Sequence, residues 1–476
     1  MPEAPLDLSR IVKAYDVRGL SPEQLDPVVA RALGAAAADV LGVAGGGGAM
    51  VVGHDMRPTS PGLVDAFARG VTDRGGDVLV IGLCSTDGLY FASGSLDAPG
   101  AMFTASHNPA AYNGIKLCRE GARPVGQESG LAQVRDLAQA YLDPAGDGVP
   151  PAPRPGARTE RDLLGEYAAH LRSLVPLGGI RPLRVVVDAG NGMAGLTAPA
   201  VLGTAAGLPA LPLDVVPLYF ELDGSFPNHE ANPLEPENLR DLQAAVREHG
   251  ADLGLAFDGD ADRCFVVDER GQAVSPSAVT ALVALRELAR EGGRGTVLHN
   301  LITSRAVPEL VERAGGTPVR TRVGHSFIKA EMARTGAVFG GEHSAHYYFR
   351  DFWGADTGML AALHVLAALG EQERPLSQLL AEHDPYAASG EINSRVDDVA
   401  AITRSVEEAW TARGGRVDDL DGLTVSSPPG EEPSWWFNLR PSNTEPLLRL
   451  NVEGADEATM ASVRDAVLAQ VRGGAA

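Results

Sequence analysis

The hydrophobic positions of this chain fall into two kinds of run. Short apolar bursts rich in β-branched residues, at 78–81 (Val-Leu-Val-Ile), 183–187 and 253–257, predict buried strands. Between them lie longer Ala- and Leu-rich stretches with helical spacing, such as 61–74 and 239–249, which predict helices. Their alternation predicts α/β layers. Residues 144–158 are too rich in proline for a helix or a central strand, because proline removes a donor and fixes φ, and they predict a domain boundary. The turn Asp268-Glu269-Arg270-Gly271 and the pair Asp384-Pro385 predict two more.

Length and charge narrow the picture. At about 150 residues per domain, 476 residues predict three or four domains. Hydrophobic residues make up 44% and charged residues 21%, an ordinary globular balance. Lys and Arg number 40 against 62 Asp and Glu, a net charge of −22 that repels polyanions, so nucleic acid is not an expected partner. A phosphorylated substrate meets the same repulsion and needs local cations, a metal or helix N-termini. Cys84, Cys118 and Cys264 form no CxxC pair and have no His spacing suited to zinc, which predicts a reducing, cytoplasmic setting. The first residues show no basic stretch followed by an apolar one. No run reaches the roughly 18 apolar residues that suggest a membrane helix, so no membrane partner is expected.

Four loops could carry chemistry. Ser106, in Thr104-Ala105-Ser106-His107-Asn108-Pro109, sits at the end of the apolar stretch 101–103, although an ordinary Ser/Asn turn fits the same residues. A serine-hydrolase reading fits poorly: the flanks lack the Gly-x-Ser-x-Gly elbow, and on an extended backbone His107 points away from Ser106. Asp258, Asp260 and Asp262 place three carboxylates within five residues between two apolar bursts. They repel one another unless a cation lies among them, so they predict a hard metal ion. Glu269 falls in EF-hand register with Asp258, but Arg263 stands where that loop needs glycine and the flanks read as strands. Glu342, Ser344 and His346 alternate, so an extended segment would turn all three to one side and suit sugar hydroxyls; a polar strand end is the bland alternative. Arg440, Ser442, Asn443 and Thr444, in a turn bounded by prolines, offer a guanidinium, hydroxyls and backbone N–H groups to a phosphate.

Taken in order, these loops, with residues 13–19 (Lys-Ala-Tyr-Asp-Val-Arg-Gly) and 112–116 (Tyr-Asn-Gly-Ile-Lys), resemble the α-D-phosphohexomutase family in its bacterial phosphomannomutase/phosphoglucomutase branch. The resemblance spans nearly the whole chain. It implies four domains around a central cleft, three related α/β domains with mixed sheets and a smaller α+β C-terminal one. The expected ranges are 1–153 (phosphoserine), 154–269 (metal), 270–385 (sugar) and 386–476 (phosphate). It implies that Ser106 is phosphorylated and that Ser106, Asp258, Asp260 and Asp262 surround Mg²⁺. Tyr15, Arg263, Glu342, Ser344, His346, Arg440, Ser442, Asn443 and Thr444 then contact substrate, and Lys116, Arg18 and His325 are the candidates for moving protons.

The implied reaction interconverts mannose 6-phosphate and mannose 1-phosphate, and the glucose pair, through a hexose 1,6-bisphosphate. The partners are small hexose phosphates, and the expected assembly is a monomer or weak homodimer. The rival readings are a phosphoglucosamine mutase and a non-catalytic sugar-phosphate binder; His343-Ser344-Ala345-His346 differs from the Gln-Ser-Gly-His usual in the former. Two departures from the family pattern stand out. Residues 300–305 lack a lysine that many relatives carry, for which Arg305 is a candidate substitute, and Ala261 and Ala345 occupy positions where glycine is frequent.

Overall fold

The computed structural model describes residues 7–441 and 447–473. Among these, four sheets form, each from a contiguous part of the chain. The first runs Val17–Leu20, Tyr112–Arg119, Gly100–Phe103, Ala49–His54, Asp77–Leu83, Arg158–Glu160, with Arg123–Pro124 paired to the second of these strands. Its middle is parallel and one end antiparallel. The second sheet repeats that plan with Cys264–Asp268, Leu253–Phe257, Leu183–Asp188 and Leu213–Leu218. So does the third, with Thr317–Thr321, Thr296–Asn300, Phe339–Gly341, Tyr347–Phe349 and Ala355–Asp356. The fourth, Ala387–Arg395, Leu447–Gly454, Trp435–Pro441, Leu423–Ser426 and Arg416–Asp418, is antiparallel throughout. The molecule is thus an α/β protein of three related mixed-sheet domains and a smaller C-terminal one.

The apolar bursts became strands because both faces are covered. Leu253–Phe257 is buried at every position and Val185, Val186 and Val187 are wholly enclosed. The Ala- and Leu-rich stretches became the helices Ser60–Asp73 and Arg240–His249. One continuous apolar core runs from the back of the first sheet through the second and third domains, whereas the C-terminal domain has a core of its own.

Three expectations are corrected. Residues 144–158 are no free linker: Ala152 N and Gly156 N donate to Asp73 O and Thr72 O, and Arg158–Glu160 becomes a parallel edge strand of the first sheet, beyond position 153. Its exposed Arg-Thr-Glu sequence hides it from any apolar pattern. The turn at 268–271 closes a hairpin, with Val267 bridged to Ala273, which carries the second sheet's pairing a few residues past the expected border at 269. Third, residues 27–46 are long and apolar enough for a membrane helix, with mean hydropathy 1.5. That stretch is 61% buried, its helix Pro27–Val40 packing on Ser60–Asp73, so its apolar face is spent on the domain core.

Candidate active site

Ser106 follows the strand Gly100–Phe103, buried and with φ of 50°. Its Oγ donates to Asp258 Oδ2 at 2.9 Å, although 152 residues separate the two. The left-handed backbone also turns the neighbouring imidazole inward, and His107 Nδ1 lies 3.1 Å from Ser106 Oγ. This overturns the expectation that His107 points away, which assumed an extended backbone. A hydrolase dyad still does not follow. Arg263 donates to the same Nδ1 at 2.7 Å, and burial, with the charges of Arg263 and Arg18, lowers the His107 pKa to about 2. That nitrogen is an occupied acceptor and a poor base.

The Ser106 loop is held by Arg57, a residue that no sequence pattern singles out. Its guanidinium is fully buried and all five of its N–H groups find acceptors. Nε donates to Asp55 Oδ2 at 3.2 Å, one terminal nitrogen to the carbonyls of Pro109 and Tyr112, each at 2.9 Å, and the other to those of Ser106 and Asn108, at 2.9 and 2.6 Å. From the second domain Gly259 closes on the same loop: a Cβ there would stand 2.4 Å from Ser106 O, so only glycine permits the approach.

Asp258, Asp260 and Asp262 lie in the loop between the strands Leu253–Phe257 and Cys264–Asp268, all buried, with one carboxylate oxygen of each within 4.8 Å of the others. Lys116, on the strand Tyr112–Arg119, bridges Asp260 Oδ2 at 2.7 Å and Asp262 Oδ2 at 2.6 Å. Arg263 Nε donates to Asp258 Oδ2 at 2.9 Å. Burial, then the charges of Asp262 and Asp260, pushes Asp258 up to about 7 against the pull of Arg263. Burial also works to raise Asp260, but the Lys116 charge and hydrogen bond outweigh it and hold Asp260 below the usual carboxylate range. Two buried oxygens, Asp260 Oδ1 and Asp262 Oδ1, have no hydrogen-bond partner. Three carboxylates, two direct cationic partners and two orphaned hard oxygen donors fit a divalent cation such as Mg²⁺.

The third domain supplies Glu342 and His346 from a turn, because residues 342–345 reverse the chain between Phe339–Gly341 and Tyr347–Phe349. Alternation on an extended segment is therefore not what gathers them. Ala345, at φ 64°, makes the reversal, and Glu342 N donates to His346 O at 3.0 Å. Ser344 Oγ and His346 Nδ1 are 2.9 Å apart, and His346 Nε2 lies 3.6 Å from Asp262 Oδ1. Glu342 is buried and pre-set: Asn300 Nδ2 and Gly324 N each stand 3.2 Å from Oε1, and Tyr348 OH stands 2.7 Å from Oε2.

Of the remaining predicted residues, Arg18 donates to Asn108 Oδ1 and Asp16 Oδ2, both at 2.6 Å, beside the Ser106 loop. Tyr15 meets Phe327 edge-on with ring centroids 6.3 Å apart, at a cleft of about 810 Å³ between the first and third domains that does not reach Ser106. Arg440 is the penultimate residue of the strand Trp435–Pro441, with Glu391 and Asp421 each 3.8 Å away. Ser442, Asn443 and Thr444 lie outside the described residues, as does the side chain of His325. Arg305, the candidate substitute for the absent lysine, bonds Ser434 Oγ at 2.5 Å and stacks 4.6 Å over Tyr386, tethering the third domain to the fourth.

The chain matches the phosphoglucomutase/phosphomannomutase family in all four of its units: alpha/beta/alpha domain I over residues 9–141, domain II over 165–271, domain III over 275–386 and the C-terminal domain over 391–470. It is 42% identical over 454 residues to a Xanthomonas campestris protein described as phosphohexose mutases, covering 95% of this chain and 96% of that one. An Escherichia coli phosphomannomutase is 40% identical over 464 residues, covering 97% and 98%. The crystal structure of a phosphoglucomutase/phosphomannomutase family protein from Burkholderia thailandensis superposes with a TM-score of 0.84 at 32% identity, covering 98% of both chains. Fold and relatives together define an isomerase that moves a phosphoryl group within a hexose phosphate. The chain belongs to the phosphoglucomutase/phosphomannomutase family, among the α-D-phosphohexomutases of bacteria.

Proposed function

We propose that this enzyme interconverts mannose 6-phosphate with mannose 1-phosphate, and glucose 6-phosphate with glucose 1-phosphate, using Ser106 as a phosphoryl carrier and a hexose 1,6-bisphosphate as intermediate. The observation that carries the proposal is the placement of Ser106 Oγ, 2.9 Å from one member of a buried aspartate triad with two orphaned oxygens. In this reading the first domain carries the phosphoserine, the second the metal loop, the third the sugar contacts and the C-terminal one the phosphate contacts.

Phosphorylated Ser106 loses its phosphoryl group to the free hydroxyl of a bound hexose monophosphate: the Oγ–P bond breaks, a bond from phosphorus to the sugar oxygen forms, and the hydroxyl proton leaves. Reorientation of the bisphosphate then returns its other phosphate to Ser106. Asp258, Asp260 and Asp262 would hold Mg²⁺, which when bound neutralises charge on the transferring group. Burial favours the neutral amine of Lys116, but the charges of Asp260 and Asp262 outweigh it and hold its pKa well above the usual lysine value. Lys116 therefore stays charged and suits electrostatic stabilisation of a leaving oxygen. Arg18, permanently charged, suits stabilisation of the phosphoryl oxygens, which leaves His325 as the candidate base. Glu342, fixed by three donors, has lone pairs left for sugar hydroxyls, and Arg440 with Ser442, Asn443 and Thr444 is assigned to binding the non-reacting phosphate.

A parallel assay of mannose 1-phosphate, glucose 1-phosphate and glucosamine 1-phosphate, primed with a hexose 1,6-bisphosphate, tests the reading. Turnover of the first two and at least about tenfold lower kcat/KM for the third is the expected result. Preference for the amino sugar would move the enzyme to the phosphoglucosamine reaction, and no turnover of any would leave a sugar-phosphate binder.

A further inference from the structure

The helix Thr86–Leu96 begins at a junction of three domains. Asp87, on its first turn, is completely buried. Its carboxylate accepts hydrogen bonds from Ser85 Oγ of the first domain, from Tyr167 OH on the second-domain helix Leu164–Leu174 at 2.8 Å, and from Thr357 Oγ1 of the third at 2.6 Å. Thr357 is itself anchored: its N donates to Tyr347 O at 3.0 Å, and its hydroxyl oxygen caps the helix Gly358–Gly370 by accepting from Leu360 N at 3.1 Å. The residue before Asp87 reaches the metal loop. Thr86 N donates to Asp260 O at 3.0 Å and Thr86 Oγ1 to Asp260 Oδ2 at 2.5 Å.

We propose that Asp87 is a positioning residue for phosphoryl transfer, gathering one hydroxyl from each α/β domain onto a single carboxylate and, through Thr86, fixing the carboxylate of Asp260. Packing alone does not call for a charge here. The neighbouring contacts between these domains are apolar and aromatic, with Trp353 stacked on His170 at 5.3 Å and edge-on to Phe91 at 6.2 Å. A buried carboxylate costs several kcal/mol unless every lone pair is used. What it supplies is direction: three hydroxyls must converge on one point, which sets the second and third domains against the strands that lead to Ser106 and carry Lys116. A hydrogen-bonded partner behind a metal-holding carboxylate commonly governs metal affinity or activity by about 10- to 100-fold.

The inference rests on Asp260 serving the reaction as proposed above, so Asp260→Asn is run beside the test variants. Asp87→Asn, Tyr167→Phe, Thr357→Val and Thr357→Ser are assayed well below each variant's melting temperature, and Mg²⁺ alone is titrated calorimetrically into each protein. Asp87→Asn is expected to lower kcat about 10- to 100-fold and weaken Mg²⁺ binding by a similar factor, with hexose-phosphate KM within about threefold of the parent. Tyr167→Phe and Thr357→Val are expected to show the same pattern more weakly, and Thr357→Ser to restore it. If Asp87→Asn does not fold, Tyr167→Phe, which leaves the carboxylate in place, decides the matter. Parental kcat and Mg²⁺ affinity in these variants, with only the melting temperature lowered, would overturn the proposal. An Asp260→Asn enzyme with parental turnover would instead overturn the reading of the metal loop.

Discussion

Arg57 Nη2 donates to Ser106 O at 2.9 Å, so the carbonyl of the residue proposed to carry the phosphoryl group is gripped by a buried guanidinium 49 residues away. Three further carbonyls of the same loop, those of Asn108, Pro109 and Tyr112, complete the grip. The consequence is a Ser106 whose left-handed backbone, costing about 1–2 kcal/mol on steric grounds, is over-determined by its surroundings.

Arg57→Ala should therefore do two things at once. It leaves Asp55 buried without its cation and releases four carbonyls, at an expected cost of about 3–5 kcal/mol in urea unfolding. Turnover should also fall by at least about tenfold at a temperature where the variant stays folded, because the Ser106 loop loses its fixed shape. A folded variant with parental kcat would show that the Ser106 loop keeps its working shape without Arg57.

Asp260→Asn removes charge from a triad whose orphaned oxygens fit a cation. We expect kcat to drop by about 10²- to 10³-fold while equilibrium binding of the hexose phosphate weakens far less, and EDTA to silence the parent enzyme in a manner reversed by Mg²⁺. Equal turnover before and after chelation would exclude the metal role.

Stability should depend on pH through imidazoles that stay neutral inside the fold. His364, stacked on Phe349 at 5.4 Å, has its pKa lowered to about 3 by burial, with Arg286 and Arg290 adding to the shift. In the unfolded chain its pKa is about 6.5. The unfolded state therefore binds the extra proton first, and stability is lost as pH falls from about 6.5 towards about 3. His364→Leu should remove about one proton, or ~1.4 kcal/mol per pH unit, from the slope of unfolding free energy across that window. An unchanged slope in urea melts at pH 6, 5 and 4 would show that His364 does not carry this dependence.

Much of the fold was legible because buried strands must be apolar on both faces. Leu183–Asp188 and Leu253–Phe257 announce themselves that way, and the Asp258 loop is readable because three close carboxylates repel one another unless a cation lies among them. What escaped was set by contacts between distant residues or by single backbone angles. Nothing in the sequence around Arg57 signals four carbonyls 49 to 55 residues away. The inward His107 depends on φ at Ser106, which no residue pattern marks, and the clustering of Glu342, Ser344 and His346 depends on φ at Ala345, where an alanine conceals the turn. Both Ala261 and Ala345, where the family resemblance leads one to expect glycine, adopt positive φ, at 59° and 64°, a conformation that glycine takes without steric cost.

Whether Ser106 carries the phosphoryl group is tested most directly by intact-mass spectrometry of the protein after incubation with glucose 1,6-bisphosphate and Mg²⁺. A species about 80 Da heavier is expected, absent in Ser106→Ala, with the increment lost on adding excess hexose monophosphate. An unmodified parent protein, or the same increment in Ser106→Ala, would contradict that role.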